Sequence, residues 1–116
     1  MLVLRRTIGS VVEIGDDIQA VLAGRTTEDL TLKIRAPAGT PVESRAVTQD
    51  DDRVVSMVTM WIGETVRIGA NVRIMVTDVR QGEVYLGISA PPEMRIIRRE
   101  LRLKMERDGK EWQYQP

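Results

Sequence analysis

Apolar and polar residues alternate over most of the chain, with the period of two that is typical of strands buried on one face. The alternation is clearest over 17–35 and 71–89. Short stretches that contain Gly, Asp or Pro separate the alternating segments and predict tight turns. The predicted strands cover 2–7, 10–14, 17–23, 29–35, 41–46, 55–61, 64–68, 71–78, 83–89 and 94–99.

The same pattern occurs twice in the chain. The octad IGSVVEIG at 8–15 returns 54 positions later as IGETVRIG at 62–69, and an Ala-Pro dipeptide follows each octad at the same interval. Each half therefore predicts five strands. A module of about 47 residues is too small to bury a sound core alone. We predict that the two modules interleave their strands and fold together as one domain, an intramolecular pseudo-dimer of two packed sheets.

The two modules differ at their C-terminal ends. The first runs into TQDDDR, which is acidic and has no apolar spacing, whereas the second continues into a charged segment where Leu101 and Met105 mark one helical face. The predicted fold class is thus all-β with a short C-terminal α-helix. The predicted boundaries are 1–47 for the first repeat, 48–54 for an acidic linker, 55–98 for the second repeat, 99–108 for the helix and 109–116 for a flexible tail.

The composition argues against an enzyme. The chain has no His and no Cys, which removes the commonest general base, thiolate metal sites and disulfides. Acidic pairs such as Asp16–Asp17 fall in predicted turns, and no nucleophile–base set is recognisable. We predict no metal and no cofactor. The chain lacks both a membrane-spanning apolar run and the apolar segment of a signal peptide, and we expect a cytoplasmic protein.

Charge is neutral in total but unevenly distributed. Residues 1–54 carry seven Lys/Arg and nine Asp/Glu, whereas residues 55–116 carry ten and eight. The segment RIIRRELRLK at 95–104 contains a single acidic residue among several basic ones. A local basic patch is therefore available to nucleic acid despite the neutral total.

The order of these motifs resembles the carbon storage regulator family (CsrA/RsmA), bacterial RNA-binding proteins that regulate translation. The resemblance rests on MLVLRR, IG-x4-IG, a hairpin and an Ala-Pro corner, and it is closest in the second half, with IGETVRIG, YLGISAPPE and IIRREL. It implies recognition of GGA triplets in single-stranded loops of mRNA or small RNA. It also implies composite sites, each joining the first strand of one subunit to the fifth strand of the other.

In this chain the resemblance implies one functional composite site, between the first strand of repeat 1 and the fifth strand of repeat 2. Arginine there would bind guanine edges or phosphates, and apolar side chains would pack on splayed bases. The site departs from the family at Thr7, where a second arginine is usual, at Pro92, which replaces a lysine, and at Arg99, which replaces a glutamate. The implied RNA-binding residues are Leu4, Arg5, Arg6, Ala90, Pro91, Ile96, Ile97, Arg98 and Arg99.

The second composite site is expected to be degenerate. Met60 and Trp61 stand where the family has its arginine pair, and Ser44 stands at the strand-five arginine position. Arg45 is shifted by one residue, which on a strand turns it to the other face. The acidic linker would also repel phosphate. Trp61 has two interpretations, stacking on a base or covering an edge strand, and we favour the second.

A different class of function stays open. The chain could be a diverged protein-interaction module that has lost RNA binding and acts through its basic helix or a sheet edge. The predicted partners are therefore RNA and a protein antagonist at the C-terminal helix. We expect no membrane and no small-molecule partner. The chain is expected to act as a monomer that has the form of a dimer.

Overall fold

The computed structural model describes residues 1–98, and within this range the fold is all-β. The predicted helix at 99–108 and the predicted tail lie outside the described residues. No segment of residues 1–98 forms a helix that could cross a membrane. The strands are β1 Leu2–Arg6, β2 Val11–Ile14, β3 Ile18–Arg25, β4 Leu30–Arg35, β5 Val42–Glu43, β6 Ala46–Gln49, β7 Val55–Met60, β8 Thr65–Ile68, β9 Val72–Arg80, β10 Glu83–Ser89 and β11 Ile96–Arg98.

The strands form two antiparallel sheets around one aliphatic core. Sheet A has the order β1-β10-β9-β8-β5, and sheet B has the order β11-β2-β3-β4-β7-β6. Alternate residues face inward, so that Val72, Ile74 and Val76 of β9 are buried while Arg73 is exposed. Buried side chains of both sheets join a single hydrophobic cluster. The period of two in the sequence therefore corresponds to the inner faces of the two sheets.

Each sheet takes strands from both halves of the chain. In sheet A, β1 of the first half pairs with β10 of the second, and β5 pairs with β8. In sheet B, β7 pairs with β4 and β11 pairs with β2. The registers correspond at the offset of 54, since Leu4 lies opposite Leu86 and Val58 lies opposite Leu32. As a result, neither half contains all the strands of either sheet.

The two octads hold these exchanged strands in place. Gly15 and Gly69 each close their octad at a φ of 63°, in the left-handed region that glycine adopts without a steric penalty. The Gly15 N–H donates to the carbonyl of Arg95 at 2.7 Å, and the Gly69 N–H donates to the carbonyl of Pro41, also at 2.7 Å. Each octad thus binds the chain just before the fifth strand of the opposite half.

The fifth strand of the first half differs from the prediction. Instead of one strand over 41–46, the chain forms the short β5, bends, and then forms β6, which pairs with β7. The turn between β6 and β7 is closed by Asp50, whose carboxylate accepts hydrogen bonds from the N–H groups of Val54 at 3.2 Å and Val55 at 3.3 Å. The stretch Ala46–Gln49 is short and does not alternate between buried and exposed residues, so the sequence gives no sign of a strand there.

Candidate nucleic-acid interface

The strands β1 and β11, which come from opposite halves, line one surface cleft of about 420 Å³. Arg98 projects from β11 at this cleft, so the structure brings it together with the arginines of β1. Arg99, the last of the predicted contact residues, lies outside the described residues. The cleft is lined by Val3, Leu4, Arg5, Arg6, Thr7, Glu83 and Arg98.

Arg5 is the accessible arginine of β1. Its side chain is 66% exposed, and its Nε lies 3.3 Å from a carboxylate oxygen of Glu83. Ion pairs between exposed side chains contribute about 0–1 kcal/mol and are screened by salt. The Arg5 guanidinium can therefore exchange Glu83 for a phosphate oxygen at little cost.

Arg6 lines the same cleft from a buried position. Alternation along β1 turns Leu2, Leu4 and Arg6 towards the inner side of sheet A, and Arg6 is only 8% exposed. Its Nε donates a hydrogen bond to the carbonyl of Arg5 at 2.9 Å. Arg6 thus adds positive charge beneath the cleft, whereas Arg5 offers its guanidinium directly to a ligand.

Four other predicted residues do not line the cleft. Ile96 and Ile97 are buried, and Ile96 lies opposite Ile14 within the core cluster. Ala90 and Pro91 are half-buried at the corner that leads into β11. The Pro91 carbonyl accepts a hydrogen bond from the Met94 N–H at 2.9 Å, which closes this corner as a turn. These residues lie within β11 or at the turn that leads into it.

Val3 and Glu83 line the cleft, and the sequence did not single them out. Val3 is half-exposed on β1, and Glu83 begins β10 immediately after the hairpin at Gly82. Both residues could be found only from the pairing of β1 with β10, a strand of the other half. The two strands are antiparallel, and Arg6 lies opposite Val84. That register is invisible until the partner of β1 is known.

The equivalent region of the second half has a different edge. Whereas β1 ends sheet A, β7 is covered along its outer side by β6, with Ala46 opposite Thr59 and Val47 opposite Val58. Met60, which corresponds to Arg6 at the offset of 54, is fully buried in the core. The backbone edge and the charge that β1 offers are therefore both missing from β7.

A small polar cluster ties the end of β7 to the bend after β5. The Arg45 guanidinium lies 4.0 Å from the centroid of the Trp61 ring, and Arg45 Nε lies 2.8 Å from the Glu64 carboxylate. The other Glu64 oxygen accepts the Trp61 backbone N–H at 2.7 Å. These two hydrogen bonds, that from Arg45 first, hold the pKa of Glu64 below its ordinary value.

Comparison with known proteins supplies the family. The profile of CsrA, described as a global regulator protein family, matches residues 57–107. The translational regulator CsrA of Geotalea uraniireducens is 44% identical over 54 residues, which are 47% of this chain and 68% of the relative. The chain belongs to the CsrA family. The protein of that name from Geobacter metallireducens is 42% identical over 53 residues, 46% of this chain and 68% of the relative.

The match to the CsrA family lies in the C-terminal half. A third relative, the translational regulator CsrA of Clostridium novyi, is 40% identical over 48 residues, 41% of this chain and 67% of the relative. No solved structure matches the chain. Within the matched span, β11 carries Arg98, while the β1 side of the cleft comes from the other half of this CsrA family member.

Proposed function

We propose that this CsrA family member is an RNA-binding translational regulator built as a tandem fusion of two family modules. Its relatives are named translational regulators, which supports the regulatory role. The repeated octads, the common offset of 54 and the matching registers of β1 and β7 support the tandem origin. In this proposal the two modules pair within one chain as a pseudo-dimer.

The protein binds a GGA-containing loop at one composite site per chain, formed by β1 and β11. The observation that carries this proposal is the asymmetry of the two sheet edges. Arg5 and Arg98 line one cleft beside the edge of β1, which no strand of residues 1–98 covers, whereas β6 covers the edge of β7. Thr59 and Ser44 occupy the positions that correspond to Arg5 and Arg98, so the second edge also lacks the charges.

The chemistry of the cleft suits single-stranded RNA. Guanidinium groups bind phosphates and guanine edges through two parallel hydrogen bonds. Half-exposed Val3 and half-buried Leu4 offer apolar surface between the charges, on which unstacked bases can pack. The edge of β1, which has no strand partner on its outer side within residues 1–98, adds backbone N–H and C=O groups that can pair with base edges.

A titration tests the proposal. We expect a fluorescent RNA hairpin with GGA in its loop to bind the full chain at a 1:1 ratio. Arg98→Ala should weaken binding by about 1–3 kcal/mol, the scale of one base-reading side chain, and Arg5→Ala should flatten the salt dependence of binding. The matched controls are Ser44→Ala and Thr59→Ala, which change the corresponding positions of the second half and should leave affinity unchanged.

Two results would contradict the one-site proposal. One is saturation at two hairpins per chain, which would require a functional site at β7. The other is an equal loss of affinity from Ser44→Ala and Arg98→Ala. A hairpin with GGA changed to CCA serves as the sequence control, because binding that ignores this change would reflect phosphate contacts alone.

The burial of Arg6 favours a second candidate, a protein-interaction module that no longer binds RNA. In that case Arg6 stabilises the fold and does not contact a ligand. The C-terminal segment or a sheet edge then contacts a protein. The same titration separates the two candidates, because this module would show no hairpin binding even at low salt. A protein antagonist at the predicted C-terminal helix stays a prediction.

A further inference from the structure

The outer face of sheet A contains a groove of about 790 Å³ that the cleft between β1 and β11 does not use. It crosses β8, β9 and β10, and β5 closes one side. Small residues form its floor, among them Gly87, Ser89 and Thr65. Arg67, Arg73 and Met75 rise around this floor, so the groove has both charged and apolar walls.

Sheet B has larger residues at the corresponding positions. At the offset of 54, Lys33 replaces Gly87 and Arg35 replaces Ser89. The outer face of sheet B also includes Ile97, which lies opposite Glu13 and is only 4% exposed. Small floor residues therefore distinguish sheet A from sheet B, and the groove is not a general result of the fold.

The charges in the groove are not balanced within the described chain. Arg67 lies directly opposite Arg73 across β8 and β9, an arrangement of like charges that destabilises a sheet. Glu43 forms an ion pair with Arg67. Arg73 is exposed and makes no ion pair or hydrogen bond with the residues that the structure describes. An anion from outside residues 1–98 would complete the pair.

Met1, Met75 and Gly87 form the apolar part of the groove, and the two methionines make it adaptable. The Met1 side chain lies against the backbone of Gly87, where even one added methyl group would come within 2.5 Å of the Met1 sulfur. Met75 stands on the neighbouring strand. Methionine side chains repack easily around a ligand and are frequent at surfaces that bind helices. The occupant therefore needs an apolar stripe beside its acidic groups.

The geometry points to a docking site for an acidic amphipathic helix of a partner protein. A helix packed on a sheet face is a common layer arrangement, and a helix about 10 Å wide covers two strand spacings of roughly 4.8 Å. The helix would place its apolar stripe over Gly87 and Met75 and a carboxylate beside Arg73. An RNA strand fits less well, because it carries a phosphate at every nucleotide and could not avoid exposed Glu43, whereas a helix can hold its carboxylates beside Arg73 and away from Glu43. This inference is independent of the proposed RNA site.

Fluorescence anisotropy with the full chain tests the docking site. The probe is a labelled synthetic amphipathic helix with leucine on one face and glutamate along both flanks. We expect saturable binding that Arg73→Glu weakens at least tenfold and Gly87→Leu weakens at least fivefold. Arg73→Glu places opposite charges on β8 and β9, so the variant should fold, which its thermal melting curve checks. The matched control is Arg35→Glu, the same charge change on the outer face of sheet B, with less than a twofold effect.

Any result of three kinds would overturn the docking site. The first is equal binding of a second peptide in which lysine replaces every glutamate. The second is the absence of saturable binding, or an equal loss of affinity in Arg35→Glu. The third is displacement of the acidic peptide by the GGA hairpin, which would make the groove part of a nucleic-acid surface. If Arg73→Glu binds the hairpin as the parent does, this result would support a groove that is separate from the cleft. That conclusion does not depend on how many hairpins the cleft titration finds per chain.

Discussion

Residues at equivalent positions of the two halves have different roles because their surroundings differ. Arg6 and Met60 share one register position, yet Met60 completes the core while Arg6 places charge beside the cleft. Ser44 corresponds to Arg98, and its hydroxyl is enclosed without a hydrogen-bond partner among the described residues. Of these corresponding positions, therefore, those of the cleft between β1 and β11 carry the side chains that can bind an anion.

The contribution of a single residue, Glu64, to stability can be tested through its dependence on pH. Because its pKa is lowered in the folded state, chiefly by Arg45, its contribution to stability is present above the unfolded pKa, near 4.5, and is lost as pH falls through the folded value. We expect Glu64→Gln to be less stable than the parent at pH 7. The difference should shrink between pH 5 and pH 3. Urea unfolding at each pH measures it.

The control for this experiment is Glu93→Gln, which changes an exposed glutamate in the turn before β11. Its effect on the urea midpoint should be small and should not vary with pH in the same way. If Glu64→Gln and the parent lost equal stability on acidification, the link between Arg45 and Glu64 would have no energetic role.

At the scale of elements, β6 is the feature that separates the two sheet edges. An uncovered strand edge is a template for pairing with other chains, and proteins commonly cover such edges. Here the cover is a hairpin strand whose turn is held by Asp50. The second sheet edge is therefore closed by the same segment that joins the two halves.

The Asp50 turn supplies a second prediction. Asp50→Ala removes an acceptor for two backbone N–H groups and should lower the free energy of unfolding by about 1 kcal/mol. Asp52→Ala removes the same charge from an exposed position of the same turn and should change it by less than about 0.5 kcal/mol. Equilibrium unfolding in urea compares the two variants, and equal effects would mean that charge, rather than the hydrogen bonds, matters in this turn.

The alternation of apolar residues was sufficient to predict most strands, and it failed at specific places. The strands that contain Ile74 and Leu86 were predicted nearly to their ends, because a long run with one buried face leaves a clear period of two. The strand Ala46–Gln49 was missed because its environment comes from β7 rather than from its own pattern. The cation–aromatic contact of Arg45 with Trp61 was missed for the same reason, since it depends on where the chain bends.

At the scale of the whole molecule, the two halves depend on each other because each edge strand of the two described sheets pairs with a strand from the other half. Within residues 1–98, β1 and β5 of the first half pair only with β10 and β8 of the second half. What remains within residues 1–54 is mainly the antiparallel set β2-β3-β4, with one apolar face uncovered. The stability of the molecule therefore depends on the pairing between strands that come from different halves.

Separated fragments test this dependence. A fragment of residues 1–54 should show no cooperative thermal transition by circular dichroism, because its apolar face has nothing to pack on. Mixing it with a fragment of residues 55–116 should restore a transition whose midpoint rises with concentration. A cooperative transition of the isolated 1–54 fragment as a monomer, verified by sedimentation, would contradict the dependence.

The turn at 50–54 that connects the two halves has a further consequence for how the molecule can change over generations. In an assembly of two identical chains, every substitution appears at both symmetry-related places, so a change that harms one place cannot be confined to it. Here a substitution at Arg6 leaves Met60 untouched, and the reverse holds as well. The covalent connection therefore lets the two faces change independently of each other, so that each can specialise on its own.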